Sequence, residues 1–218
     1  MNVIKKTFVL VLAGFFAVLC TACSPVITVN ATNDGGAKFS FKTGFSKETT
    51  KTLRTISGVG ENEQLFSAEY MEAILKEAGG ENVAASVPSA NEIETSALIK
   101  KIKESALGYT GVLSRTSKSL TLTIGPEQFL KFYNILTEDS KSYFDMLMIP
   151  ALIGETMNAE EYRELLSSMY GPSFANELVD GKISITLTSP DGKKVKKATS
   201  TLGEILTLRE EKSWTVSW

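Results

Sequence analysis

The sequence predicts an α+β fold: a largely antiparallel sheet of five to seven strands with helices packed on one face. Three observations carry this reading. Period-2 alternation recurs near both ends of the chain, at 27–41 and at 183–199. Stripes at helical spacing, with caps and stops, fill much of the middle. Turn-formers separate these runs, while no internal repeat or Pro/Ser-rich linker divides the 218 residues.

Taken in order, Ile27, Val29 and Ala31 alternate with Thr28 and Asn30. Ala37, Phe39 and Phe41 alternate with Lys38, Ser40 and Lys42. With Asn33-Asp34-Gly35-Gly36 between them, the two runs read as a half-buried β-hairpin. Residues 47–57 are a helix candidate with Leu53 and Ile56 as apolar points. A better-marked helix starts at a Ser67 cap, with Phe66 and Met71 as a hydrophobic staple, and stops at Gly79-Gly80. Its stripe is Tyr70, Met71, Ile74, Leu75 and Ala78. Val83–Val87 and Ile93–Lys103 lean to strand. Leu120, Leu122 and Ile124 alternate cleanly in 119–124.

Pro126 suits the first position of a helix running to Leu136. A further helix from about Asp139 meets Pro150. Asn158 and Glu161 form a capping pair for the next, striped by Tyr162, Leu165, Leu166 and Met169 and ended by Gly171-Pro172. Ile183, Ile185 and Leu187 then open a hairpin through Ser189-Pro190-Asp191-Gly192, returning over 193–199. Trp214, Val216 and Trp218 share one face of a last strand. Residues 126–180 form a helical insertion or layer within a single domain spanning 23–218.

The first residues have a different character. Lys5 and Lys6 precede an apolar run from Phe8 to Leu19, and small residues follow. A basic start, a short apolar core and a small residue before the cut mark an export signal, here 1–22. The run is shorter than the ~20 apolar residues a spanning helix needs. Leu19-Cys20-Thr21-Ala22-Cys23 resembles the lipobox of bacterial lipoprotein precursors, in the relaxed form similar to that of spirochaetes. The family usually places Leu three positions before the cysteine; here Cys20 stands there and Leu19 one place further back. The resemblance implies cleavage before Cys23, a diacylglyceryl group on its thiol with further acylation such as palmitate, and attachment to the cell membrane or outer membrane. The alternative is ordinary cleavage after Ala22, with Cys23 a free exported thiol. Only Ser24 and Pro25 separate Cys23 from the first strand, a reach of roughly 7 Å, so a lipidated domain would lie close to the bilayer.

Composition narrows the function classes. The chain has no histidine, which removes the commonest general acid–base and metal-ligating side chain. Its only cysteines are Cys20 and Cys23, leaving the mature part with no internal disulfide and no cysteine zinc site. Cleavage removes two lysines and no acid, for a net charge of −4. This balance gives no footprint for nucleic acid. No nucleophile elbow or Ser-x-x-Lys occurs, and Gly58-Val59-Gly60 lacks the continuation of a phosphate loop. Asn33-Asp34-Gly35-Gly36 lacks the alternating acids of a calcium loop. The residues therefore single out no catalytic group, no cofactor and no metal.

Four features invite a sharper reading beside a plain one. Glu155, Glu160, Glu161 and Glu164 could include a glycosidase-like carboxylate pair, or could simply favour a helix start. The run Phe144–Ile153 reads as a buried helix and turn, or as an adaptable Met-rich surface. Lys193-Lys194-Val195-Lys196-Lys197 reads as protection of a sheet edge, or as contact with anionic headgroups or another polyanion. Trp214 and Trp218 pack a core or form an aromatic ledge. The expectation is a lipid-anchored cell-envelope protein acting in binding or assembly with an envelope protein. The rivals are a carrier for a lipid or other hydrophobic ligand and a carboxylate hydrolase of glycan or cell wall.

Overall fold

The computed structural model describes residues 24–60, 63–136 and 138–218. Residues 1–22, read as an export signal, and Cys23 lie outside the described residues. Six strands form the main sheet in the order β3-β4-β2-β1-β7-β8. They are β1 (Val26–Ala31), β2 (Ala37–Gly44), β3 (Glu81–Ser89), β4 (Glu92–Ile99), β7 (Lys182–Thr188) and β8 (Val195–Thr201). All neighbours are antiparallel except β1 and β7, which run parallel with Ile27 opposite Ile185. A second sheet has the order β5-β6-β9, from β5 (Leu113–Arg115), β6 (Ser119–Ile124) and β9 (Lys212–Ser217).

The alternation read from the sequence decides which face is inside. Ile27, Val29, Phe39, Phe41, Ile183, Ile185 and Leu187 are all buried. Their neighbours Thr28, Ser40, Ser96 and Thr186 are in register on the opposite face and half-exposed. The middle of the outer face is therefore lined by short polar side chains. The inner face is covered by the second sheet and the helices.

The expected helices form at α1 (Lys47–Ser57), α2 (Ala68–Glu77), α4 (Pro126–Asn134), α5 (Glu138–Leu147) and α7 (Ala159–Tyr170). Ser67 caps α2 by accepting from the Tyr70 N–H, and Asn158 and Glu161 form a reciprocal capping box on α7. Four further helices are not singled out one by one in the sequence: α6 (Pro150–Ile153) and α8 (Pro172–Asp180) fall within the helical layer expected at 126–180, while α3 (Ala106–Tyr109) and α9 (Leu202–Leu206) depart from the expectation. Gly171, at φ 88°, ends α7 while Pro172 at once begins α8. One dipeptide is both stop and start, because proline's fixed φ and missing N–H suit a first helical turn. The return strand β8 runs to Thr201, two residues past the expected end, where a second capping box, Thr201 with Glu204, starts α9. Among the described residues, no helix is long and apolar enough to cross a membrane.

Polar links, from fully buried to exposed, hold these layers in place. Tyr162, fully buried, donates its hydroxyl to the Leu147 carbonyl at 2.8 Å. Tyr170 donates to the Met146 carbonyl at 2.6 Å. Arg163 of α7 grips Asp180 of α8 through two nitrogens, at 2.8 and 2.7 Å. The Glu177 carboxylate accepts from the Ser46 backbone N–H at 2.8 Å and from the Ser46 and Thr49 hydroxyls, fastening α8 to the start of α1. Arg115 of the second sheet donates to the Gly36 carbonyl and, at 2.7 Å, to the Thr32 carbonyl. Its guanidinium also lies 5.4 Å from the Trp218 ring centre. This side chain joins the two sheets at the β1–β2 turn.

Strand register gives the sheet two distinct ends. Val26 lies level with Ser184 and Lys42, next to Ser24. Asn30 lies level with Thr188, and Ala37 with Ile99. The β1–β2 turn, the end of β4 and the β7–β8 turn therefore share the end remote from Ser24.

Candidate functional site

Between the inner sheet face and the helices α2, α3 and α4 lies a pocket of about 260 Å³. Its floor is Phe39 of β2 with Ala97 and Ile99 of β4; Phe39 and Ala97 are register partners. Ile74 and Leu75, on the buried face of α2, make one wall. At the end of α2 the chain turns through Gly79, at φ +89°, a conformation that favours glycine. Gly80 then passes against the sheet. A Cβ built on it would stand 2.6 Å from the Leu75 carbonyl oxygen and 2.9 Å from the Ala97 Cβ, so only glycine allows this approach.

The opposite wall comes from α3. Ser105 caps it by accepting from the Gly108 N–H at 3.2 Å, which presents Ala106 and Leu107 to the space. The Ala106 N–H donates to the Ala78 carbonyl at 3.0 Å, closing the seam between α3 and α2. Phe132, Ile135 and Leu136, at the end of α4, complete the lining. Small side chains at 78, 80, 97 and 106 are what leave the space open.

The lining is carbon almost throughout. The charged exception is Glu77, exposed at the rim beside the half-open Ile135. Tyr70 of α2 has its pKa pushed up to about 12, first by burial and then by the nearby Glu77 charge. Its phenol stays neutral over the physiological range. An apolar cavity of ~150 Å³ accommodates a benzene-sized guest. On that scale the pocket admits on the order of ten carbon atoms: a single-chain segment or small apolar molecule. The pocket can bind and orient such a guest, but its lining offers no acid–base pair to transform it.

The features singled out in the sequence lie elsewhere. Glu155, Glu160, Glu161 and Glu164 are all exposed. Glu161 closes the cap of α7 and Glu160 pairs with Arg163 at 3.0 Å. Their positions match the helix-start reading. Within Phe144–Ile153, Phe144, Leu147, Ile149 and Ala151 are buried, as the helix-and-turn reading expects, while Met148 and Ile153 are 37% and 48% exposed. Trp214 is buried, and Trp218 packs on the core beside Arg115. The lysines at 193–197 lie at the tip of β8, an edge strand. They sit at the end of the sheet remote from Ser24. Cys23, the lipidation candidate, is outside the described residues.

The sequence reading missed the pocket. Its only local signal is a scatter of Gly and Ala at core-facing places, and their meeting depends on the pairing of β4 with β2. Two other hollows, each about 350 Å³, are more open and more polar. One lies on the outer sheet face along Thr28, Ser40 and Ser96; the other lies between Gly35 and Lys100–Glu104. Compared with known proteins, the chain matches no family model, and no curated protein is significantly similar to it.

Proposed function

We propose that the chain is a membrane-anchored cell-envelope lipoprotein whose exported domain is a non-enzymatic binding module for a hydrophobic ligand. The apolar pocket between sheet and helices carries the binding half of this reading. The basic-then-apolar leader and Leu19-Cys23 carry the anchored half. Cys23 receives the diacylglyceryl group, and two or more acyl chains there give durable attachment where one would be marginal. The pocket's volume favours one acyl segment over a two-chain lipid.

Affinity follows from the same size. Ten carbons at ~0.8 kcal/mol each supply about 8 kcal/mol, of which association consumes 4 or more. The remainder, about 4 kcal/mol at most, corresponds to a dissociation constant of about a millimolar or weaker. A weak hold of this kind suits a ligand collected from and returned to a nearby bilayer. The hydrolase reading draws no support from acids that are all solvated, two of them, Glu160 and Glu161, already engaged.

Photolabelling in intact membranes tests the proposal. A ten-carbon fatty acid with a terminal diazirine should mark peptides containing Ile74–Ala78, Ala106–Leu107 or Phe132–Leu136. Labelling confined to the exposed Met148 and Ile153 would place the ligand elsewhere and defeat the reading.

A further inference from the structure

We infer that the end of the sheet remote from Ser24 is a docking surface for a linear phosphate-bearing polyanion. That end gathers ten basic residues in three groups and the strand between them. The tip of the β7–β8 hairpin carries Lys193, Lys194, Lys196 and Lys197. Lys100, Lys101 and Lys103 follow β4, and Arg115 and Lys118 flank the β5–β6 turn, with Lys38 on β2. Among the described side chains, the acids that oppose them there are Asp34, Glu81, Glu104 and Asp191, although acids outnumber bases 25 to 23 in the whole chain. The excess is a segregation of charge and cannot come from composition.

The four acids are also occupied. Asp34 accepts from the Thr32 hydroxyl and the Gly36 N–H, and Asp191 from the Ser189 hydroxyl and the Lys193 N–H. Both carboxyl pKa values are held below the usual range by these hydrogen bonds. Glu81 pairs with Lys100 at 2.6 Å and Glu104 with Lys101 at 2.9 Å. Lys103, Lys118 and the four tip lysines have no ion pair among the described residues. The tip is rigid where it matters: Ser189 N–H donates to the Lys194 carbonyl, Lys194 N–H donates to the Ser189 hydroxyl oxygen, both at 2.9 Å, and Val195–Lys197 are exposed on both faces.

Spacing selects the partner. From β4 to β8 the sheet crosses four strand intervals of ~4.8 Å, so the cations spread over roughly 19 Å. They do not converge on one point as a cradle for a single phosphate would. Lysine dominates, a point charge suited to phosphate, and the one arginine is committed to backbone carbonyls. The anchoring bilayer is a poor match on the proposed Cys23 attachment. Ser184, level with Val26, is four residues or roughly 13 Å from Thr188, with the tip beyond it. That exceeds the ~8 Å screening length at physiological ionic strength.

The test uses the full chain in zwitterionic nanodiscs with fluorescent long-chain polyphosphate, read by anisotropy across salt concentrations. Binding should weaken steeply with salt. Lys194→Glu with Lys197→Glu should lower affinity at least tenfold at ~50 mM salt and flatten the log–log slope by about 1 to 2. Lys47→Glu with Lys51→Glu, an equal charge change on α1, should leave both nearly unchanged. Equal losses in the two double variants would overturn the inference, as would absence of polyphosphate binding by the parent chain. Neither outcome bears on the apolar pocket, which photolabelling tests separately.

Discussion

Replacing Ala97 with leucine puts the pocket itself on trial. Ala97 is 3% exposed, points from β4 into the space and forms part of its floor. Leucine adds three carbons, worth ~0.8 kcal/mol each when buried, less about 0.5–1 kcal/mol of rotamer entropy. If those carbons enter open space, the ligand-free domain gains roughly 1.5–2 kcal/mol. A domain of this size gains ~2–4 °C in Tm per kcal/mol, so the expected rise is about 3–8 °C by circular dichroism. The same three carbons displace part of the guest. A ligand losing that burial forfeits ~2.4 kcal/mol, or about fiftyfold in affinity, and photolabelling of the 74–78 and 106–107 peptides should fall accordingly. A filled core behaves oppositely, since forcing methylenes into packed space costs ~1–3 kcal/mol. A lower Tm combined with undiminished labelling would refute the reasoning.

Other predictions concern the frame and the anchor. Tyr162→Phe leaves the buried Leu147 carbonyl without its donor and should cost about 1–3 kcal/mol in urea unfolding at an unchanged m-value. Asp180 has its pKa lowered by hydrogen bonds from Arg163, with the arginine's charge adding. Its contribution is thus present above the ordinary carboxylate pKa and lost as pH falls through the lowered one. Asp180→Asn should remove that acid-side loss, a small effect of ~1 kcal/mol or less for so exposed a pair, seen as a shallower decline of Tm below about pH 4. Tyr70 is displaced the other way. Stability associated with its neutral phenol persists below pH ~10 and is lost as pH rises through about 12, so Tyr70→Phe should resist alkaline unfolding better than the parent chain. Cys23→Ala should move the protein from the membrane to the soluble fraction, and the parent's N-terminal peptide should carry a diacylglyceryl mass.

Much of the fold was legible because its signals are local. The 27–41 hairpin, the Ser67 and Asn158 caps and the 119–124 strand each follow from side-chain alternation or a capping hydrogen bond within a few residues. What was not legible depends on distance along the chain. Nothing near Ile27 reveals that it lies beside Ile185 in a parallel pair, and the alternation in 119–124 is silent about which sheet receives it. At Gly171-Pro172 the stop masked the start of α8, and the Thr201–Glu204 capping box just past the 193–199 return was not read. The pocket was hidden for the first reason: Ala97, Ala106 and Gly80 are unremarkable until β4 pairs with β2 and α3 docks on α2. The lysine run was visible, but its place at the end away from Ser24 follows only from the register of β1, β7 and β8.

The ligand itself is the most direct arbiter. Native mass spectrometry of the full chain, with a ten-carbon fatty acid added well above the expected dissociation constant, should show the acylated polypeptide with a further noncovalent adduct of one acyl chain. That adduct should be absent from the Ala97→Leu variant. A parent chain that repeatedly flies without any adduct, at lipid concentrations well above the expected dissociation constant, would contradict the binding role.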